Sequence, residues 1–127
     1  MYNQTVMSKF LNPKNAGALR GANATGKAGN SSCGDVIKLY LLVDEEGIID
    51  EAKFKAFGCP ATIACSDIAC DLVAGLQVDE ALNVSSKEIF DELGGLDDNR
   101  VYCSVLAEDA IKLAVEDYYK KKAKENK

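Results

Sequence analysis

Three cysteines in this chain stand where the polypeptide changes direction. Cys59 follows Phe57 and Gly58 and precedes Pro60, so an alternating strand runs into a glycine, a thiol and a helix start. Proline at the first helical position is pre-organised and wastes no donor. Cys59 therefore belongs at or just before the cap, where unpaired N–H groups and the helix dipole favour an anion and lower a thiol pKa. Cys103 repeats the pattern: Val101-Tyr102 reads as a short extended piece ending in a cysteine ahead of a long helix. Two helix N-termini are thus each expected to present a thiolate. The third, Cys33, sits beside Gly34 on a glycine-rich loop. Three thiolates suit zinc or iron, but the CxxC pairs of common zinc modules and ferredoxins are missing and the chain has no histidine. A fourth ligand has to be oxygen, water or an external thiolate. Asp35 is the carboxylate nearest Cys33, either as that ligand or as a loop carboxylate capping backbone N–H groups.

The other two of the five cysteines separate by helix geometry. Cys65 lies about 9 Å and Cys70 about 16 Å along the axis from Cys59, too far to share a compact centre on an unbroken helix. Cys65 shares a face with Ala61, Ala64, Ile68 and Leu72 and reads as core. Cys70 shares an azimuth with Thr62 and Ser66 and reads as a small neutral side chain, partly exposed.

The elements that must position these thiols follow from periodicity. Val6 to Leu11 is an amphipathic helix stopped at Asn12-Pro13, with Gly17 beyond. Gly21 to Gly34 is rich in Gly, Ala, Asn and Ser, so residues 1–34 form the mobile part of the domain, with room for a short edge strand. Val36–Val43 and Ile48–Phe57 alternate as strands around the turn Asp44-Glu45-Glu46-Gly47. Ala52, Phe54 and Ala56 face one way while Glu51, Lys53 and Lys55 face the other, the mark of an antiparallel sheet with helices on one side. Gly75 closes the helix after Cys59, and residues 79–82 make a helical turn. Ser85-Ser86-Lys87-Glu88 is a capping box for a helix ending at Gly94-Gly95. A last helix from about Ser104 to Lys122 packs Ala107, Ala110, Ile111, Ala114 and Tyr118 inward. The fold class is α+β: about three antiparallel strands, helices on one face, and a long C-terminal helix, in a single domain over residues 1–127.

Composition narrows the function. Hydrophobic content of 47% and charged content of 28% are those of a globular protein, and a net charge of -5 argues against nucleic acid. Lys120, Lys121, Lys122 and Lys124 fall where cations complement a helix C-terminus. With no apolar run of membrane-spanning length and no signal-peptide core, the expected location is the cytoplasm, where five cysteines read as thiol or metal chemistry rather than disulfides.

The motifs, taken in order, resemble the IscU/NifU-type iron-sulfur cluster assembly scaffold over nearly the whole chain. Tyr2 with Asn12-Pro13-Lys14-Asn15-Ala16-Gly17 is similar to the family's N-terminal segment, Ser32-Cys33-Gly34-Asp35 to its first cysteine motif, Phe57-Gly58-Cys59 with Ile63-Ala64 to its second, and Cys103-Ser104-Val105-Leu106-Ala107-Glu108-Asp109-Ala110 to its third. The resemblance implies a scaffold and carrier rather than an enzyme. It would receive persulfide sulfur from a cysteine desulfurase, build a transient 2Fe-2S cluster with iron, and pass the cluster to apo iron-sulfur proteins. Cys33, Cys59 and Cys103 would be the ligands, Asp35 the residue of iron entry and cluster lability, and Tyr2 a residue of self-association into a homodimer. Tyr102 stands where the family usually has histidine; a phenol there either ligates iron or packs, and packing is its expected role. Leu96-Asp97-Asp98-Asn99-Arg100 replaces the proline-bearing chaperone segment, so the resemblance lends no support to a dedicated Hsp70-type partner; Arg100 keeps a cation where lysine is common. The alternative is a zinc-binding sulfur acceptor using the same three cysteines, and zinc in the protein as purified would be compatible with either.

Overall fold

The computed structural model describes residues 2–30 and 34–125, so Cys33 lies outside the described residues. Eight elements follow in order: α1 (Gln4–Leu11), β1 (Ala24–Asn30), β2 (Asp35–Val43), β3 (Ile49–Phe57), α2 (Pro60–Val73), α3 (Val78–Ala81), α4 (Ser86–Glu92) and α5 (Tyr102–Glu125). The three strands pair antiparallel in the order β1-β2-β3. The α+β class, the strand count and the long final helix are as the sequence reading has them.

Alternation decides which face is covered. Ile37, Leu39, Leu41 and Val43 of β2, with Ala52 and Phe54 of β3, are buried, and α2 and α5 pack over them. Positions between point the other way: Lys27 of β1 pairs with Lys38 of β2, which pairs in turn with Lys55 of β3. Helices therefore cover one face and lysines line the other, as the period of two requires.

The glycine-rich stretch, read as a loop with room for an edge strand, carries the full seven-residue β1. Its inward residues are Ala24, Gly26 and Ala28 because α5 lies directly on them. A Cβ at Gly26 would overlap the Ala110 carbonyl oxygen and the Ala114 nitrogen, so only glycine permits this approach. The Asp117 carboxylate of α5 accepts a hydrogen bond from Thr25 N at 2.9 Å, occupying one of the edge donors of β1.

The N-terminal segment is pinned at both ends. Asn3 caps α1 by accepting from Val6 N at 2.8 Å, and its Nδ2 donates to Leu93 O at 2.8 Å, just beyond α4. After Pro13, Phe54 N donates to Asn15 O at 3.0 Å and Gly17 N to Phe54 O at 2.7 Å, which extends the sheet edge by one bridge. Asp67 of α2, only 1% exposed, accepts from Asn15 N at 2.8 Å and from Lys9 Nζ at 3.3 Å. A buried carboxylate persists only with such partners.

Smaller differences have local causes. Residues 98–101 form turns running into α5, where the sequence reading has an extended piece before Cys103. Ser85 caps α4 by accepting from Glu88 N at 3.1 Å, while the reciprocal capping box forms instead between Gln77 and Glu80 at α3. Cys70 is 1% exposed rather than partly open.

Candidate metal centre

Cys59 is the N-cap of α2, with extended backbone and Pro60 following. Pro60 supplies no donor, and the first-turn N–H groups of Ala61 and Thr62 lie near the sulfur and favour its charged form, that of Thr62 also donating to Cys59 O at 3.0 Å. Burial works to raise the Cys59 pKa, but the polar contacts around the sulfur, from the Thr62 side chain and N–H, the Tyr2 phenol and the Ala61 N–H, outweigh it, and the thiol sits below its ordinary value. This is the activated thiol read from the sequence.

Cys103 differs from that reading. It lies inside the first turn of α5, fully buried, and its thiol is pushed up to about 11 by burial, with Thr62 opposing and the neighbouring Cys59 adding to the rise. The metal-free site thus holds one activated sulfur and one that keeps its proton. Their Sγ atoms are 3.9 Å apart. Two sulfurs each about 2.3 Å from a tetrahedral metal stand about 3.8 Å apart, so the pair is already at bridging distance for a shared ion.

Asp35, at the start of β2, completes the group without touching either sulfur in a recorded contact. Its Oδ1 accepts from Thr62 Oγ1 at 2.8 Å and its Oδ2 from the Tyr102 hydroxyl at 2.6 Å. Burial works to raise its pKa, but the bonds from Tyr102, Thr62 and Cys59 N–H hold the carboxyl below its usual value. The backbone N–H of Cys59 is among the groups that favour the Asp35 carboxylate, as the loop-capping reading has it. Tyr102 does not pack as expected. It is 44% exposed, and its phenol, raised by the Asp35 hydrogen bond, serves as a donor. Gly58 makes room for this cluster: a Cβ there, at a φ of 154°, would overlap Asp35 Oδ1 and Thr62 Oγ1.

Thr62 joins these parts. Its buried Oγ1 is 3.4 Å from Cys59 Sγ and 3.4 Å from Cys103 Sγ as well as bonded to Asp35. Sequence reasoning gave it no role beyond a shared azimuth with Cys70. The usable signal was its spacing, since the third helical residue is the one whose side chain reaches back to the N-cap. On the open side, Arg100 Nε donates to the Tyr2 hydroxyl at 3.1 Å, and its guanidinium carbon lies 6.0 Å from the Tyr2 ring centre. The segment carrying Arg100 therefore anchors the N-terminus at the rim of the site.

Cys65 and Cys70 are buried free thiols held protonated by desolvation and take no part. Among the described residues, no three Cys, Asp or Glu side chains form a ready metal-holding set. The sulfur pair is preset, and Asp35 is turned toward hydroxyl donors.

Fold and site together define a small α+β domain that presents cysteine sulfur and one carboxylate at a shallow surface. The chain belongs to the family described as the NifU-like N terminal domain, whose model matches residues 1–125. It is 39% identical over 124 residues to the iron-sulfur cluster assembly scaffold protein IscU of Aquifex aeolicus, covering 97% of this chain and 79% of that one. To the protein of the same name from Azotobacter vinelandii it is 43% identical, covering 95% and 96% respectively. Among solved structures, the N-terminal part of a NifU-like protein from Brucella abortus superposes with a TM-score of 0.71 at 18% identity and 94% coverage of both chains, a likeness of fold.

Proposed function

We propose that this protein is a scaffold, not an enzyme: iron and sulfur are its cargo, assembled on Cys33, Cys59 and Cys103 as a transient 2Fe-2S cluster and released to apo iron-sulfur proteins. The observation that carries the reading is the Cys59–Cys103 sulfur pair 3.9 Å apart with Asp35 one hydroxyl away. Two thiols alone make a weak site. Cys33 is two residues before Asp35 in the sequence, and the resemblance makes it the third ligand. Cys59, the activated nucleophile, is the natural acceptor of sulfur from a cysteine desulfurase, and the half-open rim lets a donor approach. A fourth position left to Asp35, water or an acceptor's thiolate keeps the cluster transferable. Tyr2, docked on Arg100 beside Cys59, is placed to alter the site if a second copy displaces it.

The test is anaerobic reconstitution with iron, cysteine and a desulfurase, comparing wild type with Cys33→Ser, Cys59→Ser and Cys103→Ser. Each replacement is expected to abolish or sharply reduce the visible sulfide-to-iron absorbance. A colourless wild type that instead retains one zinc ion would select the zinc sulfur-acceptor reading.

A further inference from the structure

The Thr62 hydroxyl has one hydrogen and three neighbours that compete for it. A carboxylate is the strongest acceptor of the three, so in the metal-free protein the hydrogen goes to Asp35 Oδ1 at 2.8 Å. Only the oxygen's lone pairs then face the two sulfurs, each at 3.4 Å, which suits the fully buried Cys103 thiol, whose own S–H can point at Thr62. A metal-bound sulfur has no hydrogen to offer. With both cysteines ligated, the lone pairs of Thr62 would confront those of sulfur in a buried position, and the hydroxyl must turn.

We propose that Thr62 is a positioning residue whose single hydrogen is given to Asp35 in the metal-free site and to cysteine sulfur once metal is bound, so that loading the sulfurs releases Asp35. The proposal rests on the reading of Cys59 and Cys103 as ligands. Among the described residues, Tyr102 then becomes the only side-chain donor recorded on Asp35, through Oδ2 at 2.6 Å and on the exposed side, where the phenol can swing away. Departure of the carboxylate toward the metal is thereby coupled to occupancy of the sulfurs, without movement of β2 or α5. Threonine suits this role because Thr62 is fully buried and, among the described residues, its hydroxyl has no recorded partner outside these three groups.

Cobalt(II) is the probe, because its thiolate charge-transfer bands report electron density on sulfur directly. Wild type, Thr62→Ser and the nearly isosteric Thr62→Val are loaded anaerobically. Without a donor to sulfur, Thr62→Val is expected to move the charge-transfer maximum to lower energy and to release cobalt to a chelator about five-fold faster. Thr62→Ser should restore both, and the band shift should persist when Thr62→Val is made on Asp35→Ala. Equal behaviour of Thr62→Val and wild type, or of the serine and valine variants, overturns the proposal. Should Thr62→Val not fold, the cobalt–sulfur stretch of the wild type decides. It should move within minutes of transfer to D2O, before buried amides exchange, and a stretch that stays fixed overturns the proposal. Failure of wild type to bind cobalt at all removes the ligand reading and this proposal together, whereas cobalt binding without cluster assembly removes the scaffold reading alone.

Discussion

At the scale of single residues, the site is a contest over one carboxylate. Asp35 is held by Tyr102, Thr62 and the Cys59 N–H, so removing the carboxylate and removing a holder should act in opposite directions. Asp35→Ala is expected to give a bound cluster that lives longer and transfers more slowly to an apo-ferredoxin, followed by loss of its visible absorbance; equal or faster loss counts against a lability role. Tyr102→Phe frees Oδ2 and should speed the same transfer a few-fold, in line with the loss of one charge-assisted hydrogen bond. An unchanged rate would mean that the phenol merely shields the rim. The activated state of Cys59 was legible because it depends on neighbours in sequence: glycine before, proline after, a helix beyond. The bond from Tyr102 to Asp35 spans 67 residues, and the raised thiol of Cys103 follows from burial, so neither left a trace in local pattern.

At the scale of elements, the sheet shows what hydrophobic pattern conveys and what it omits. β2 and β3 were readable because large apolar residues alternate with polar ones. β1 showed only as room for a short edge strand, since its inward positions are Ala24, Gly26 and Ala28, made small by α5 rather than chosen for hydrophobicity. Its identity lies in the packing partner. On the outer face, Lys27, Lys38 and Lys55 stand in one row across three strands. Like charges directly opposite are destabilising, and among the described residues none of the three has a recorded ion pair; only Lys38 gains a ring contact, 5.2 Å above Tyr40. Lys27→Glu should therefore stabilise the fold by about 0.5 kcal/mol, seen as a higher urea midpoint at low salt, with the gain shrinking as ionic strength rises. A gain that is the same at high salt would assign it to strand propensity instead.

At the scale of the whole molecule, stability should be bounded on both sides of neutral pH by different residues. On the acid side, burial works against Asp35, Asp71 and Asp117, yet their hydrogen bonds and ion pairs hold each carboxyl below its usual value. The unfolded chain then binds more protons, so this stability is present above about pH 4 and is lost as pH falls below it. On the alkaline side, burial raises the thiols of Cys65 and Cys70, both within α2 and 0% and 1% exposed. Here the folded state keeps protons that an unfolded thiol gives up near pH 8.5, so the contribution is complete below that value and declines as pH rises. Each buried thiol should cost the fold about 1.4 kcal/mol between pH 7.5 and 9.5. Urea unfolding at those two pH values should accordingly show a smaller decline in Cys70→Ala than in wild type, by about that amount, whatever the replacement does to stability at pH 7.5. An identical decline in both proteins would mean that the Cys70 thiol ionises as readily in the native state as in the unfolded one, and that the helix carrying Cys59 is not sealed against water along its inner face.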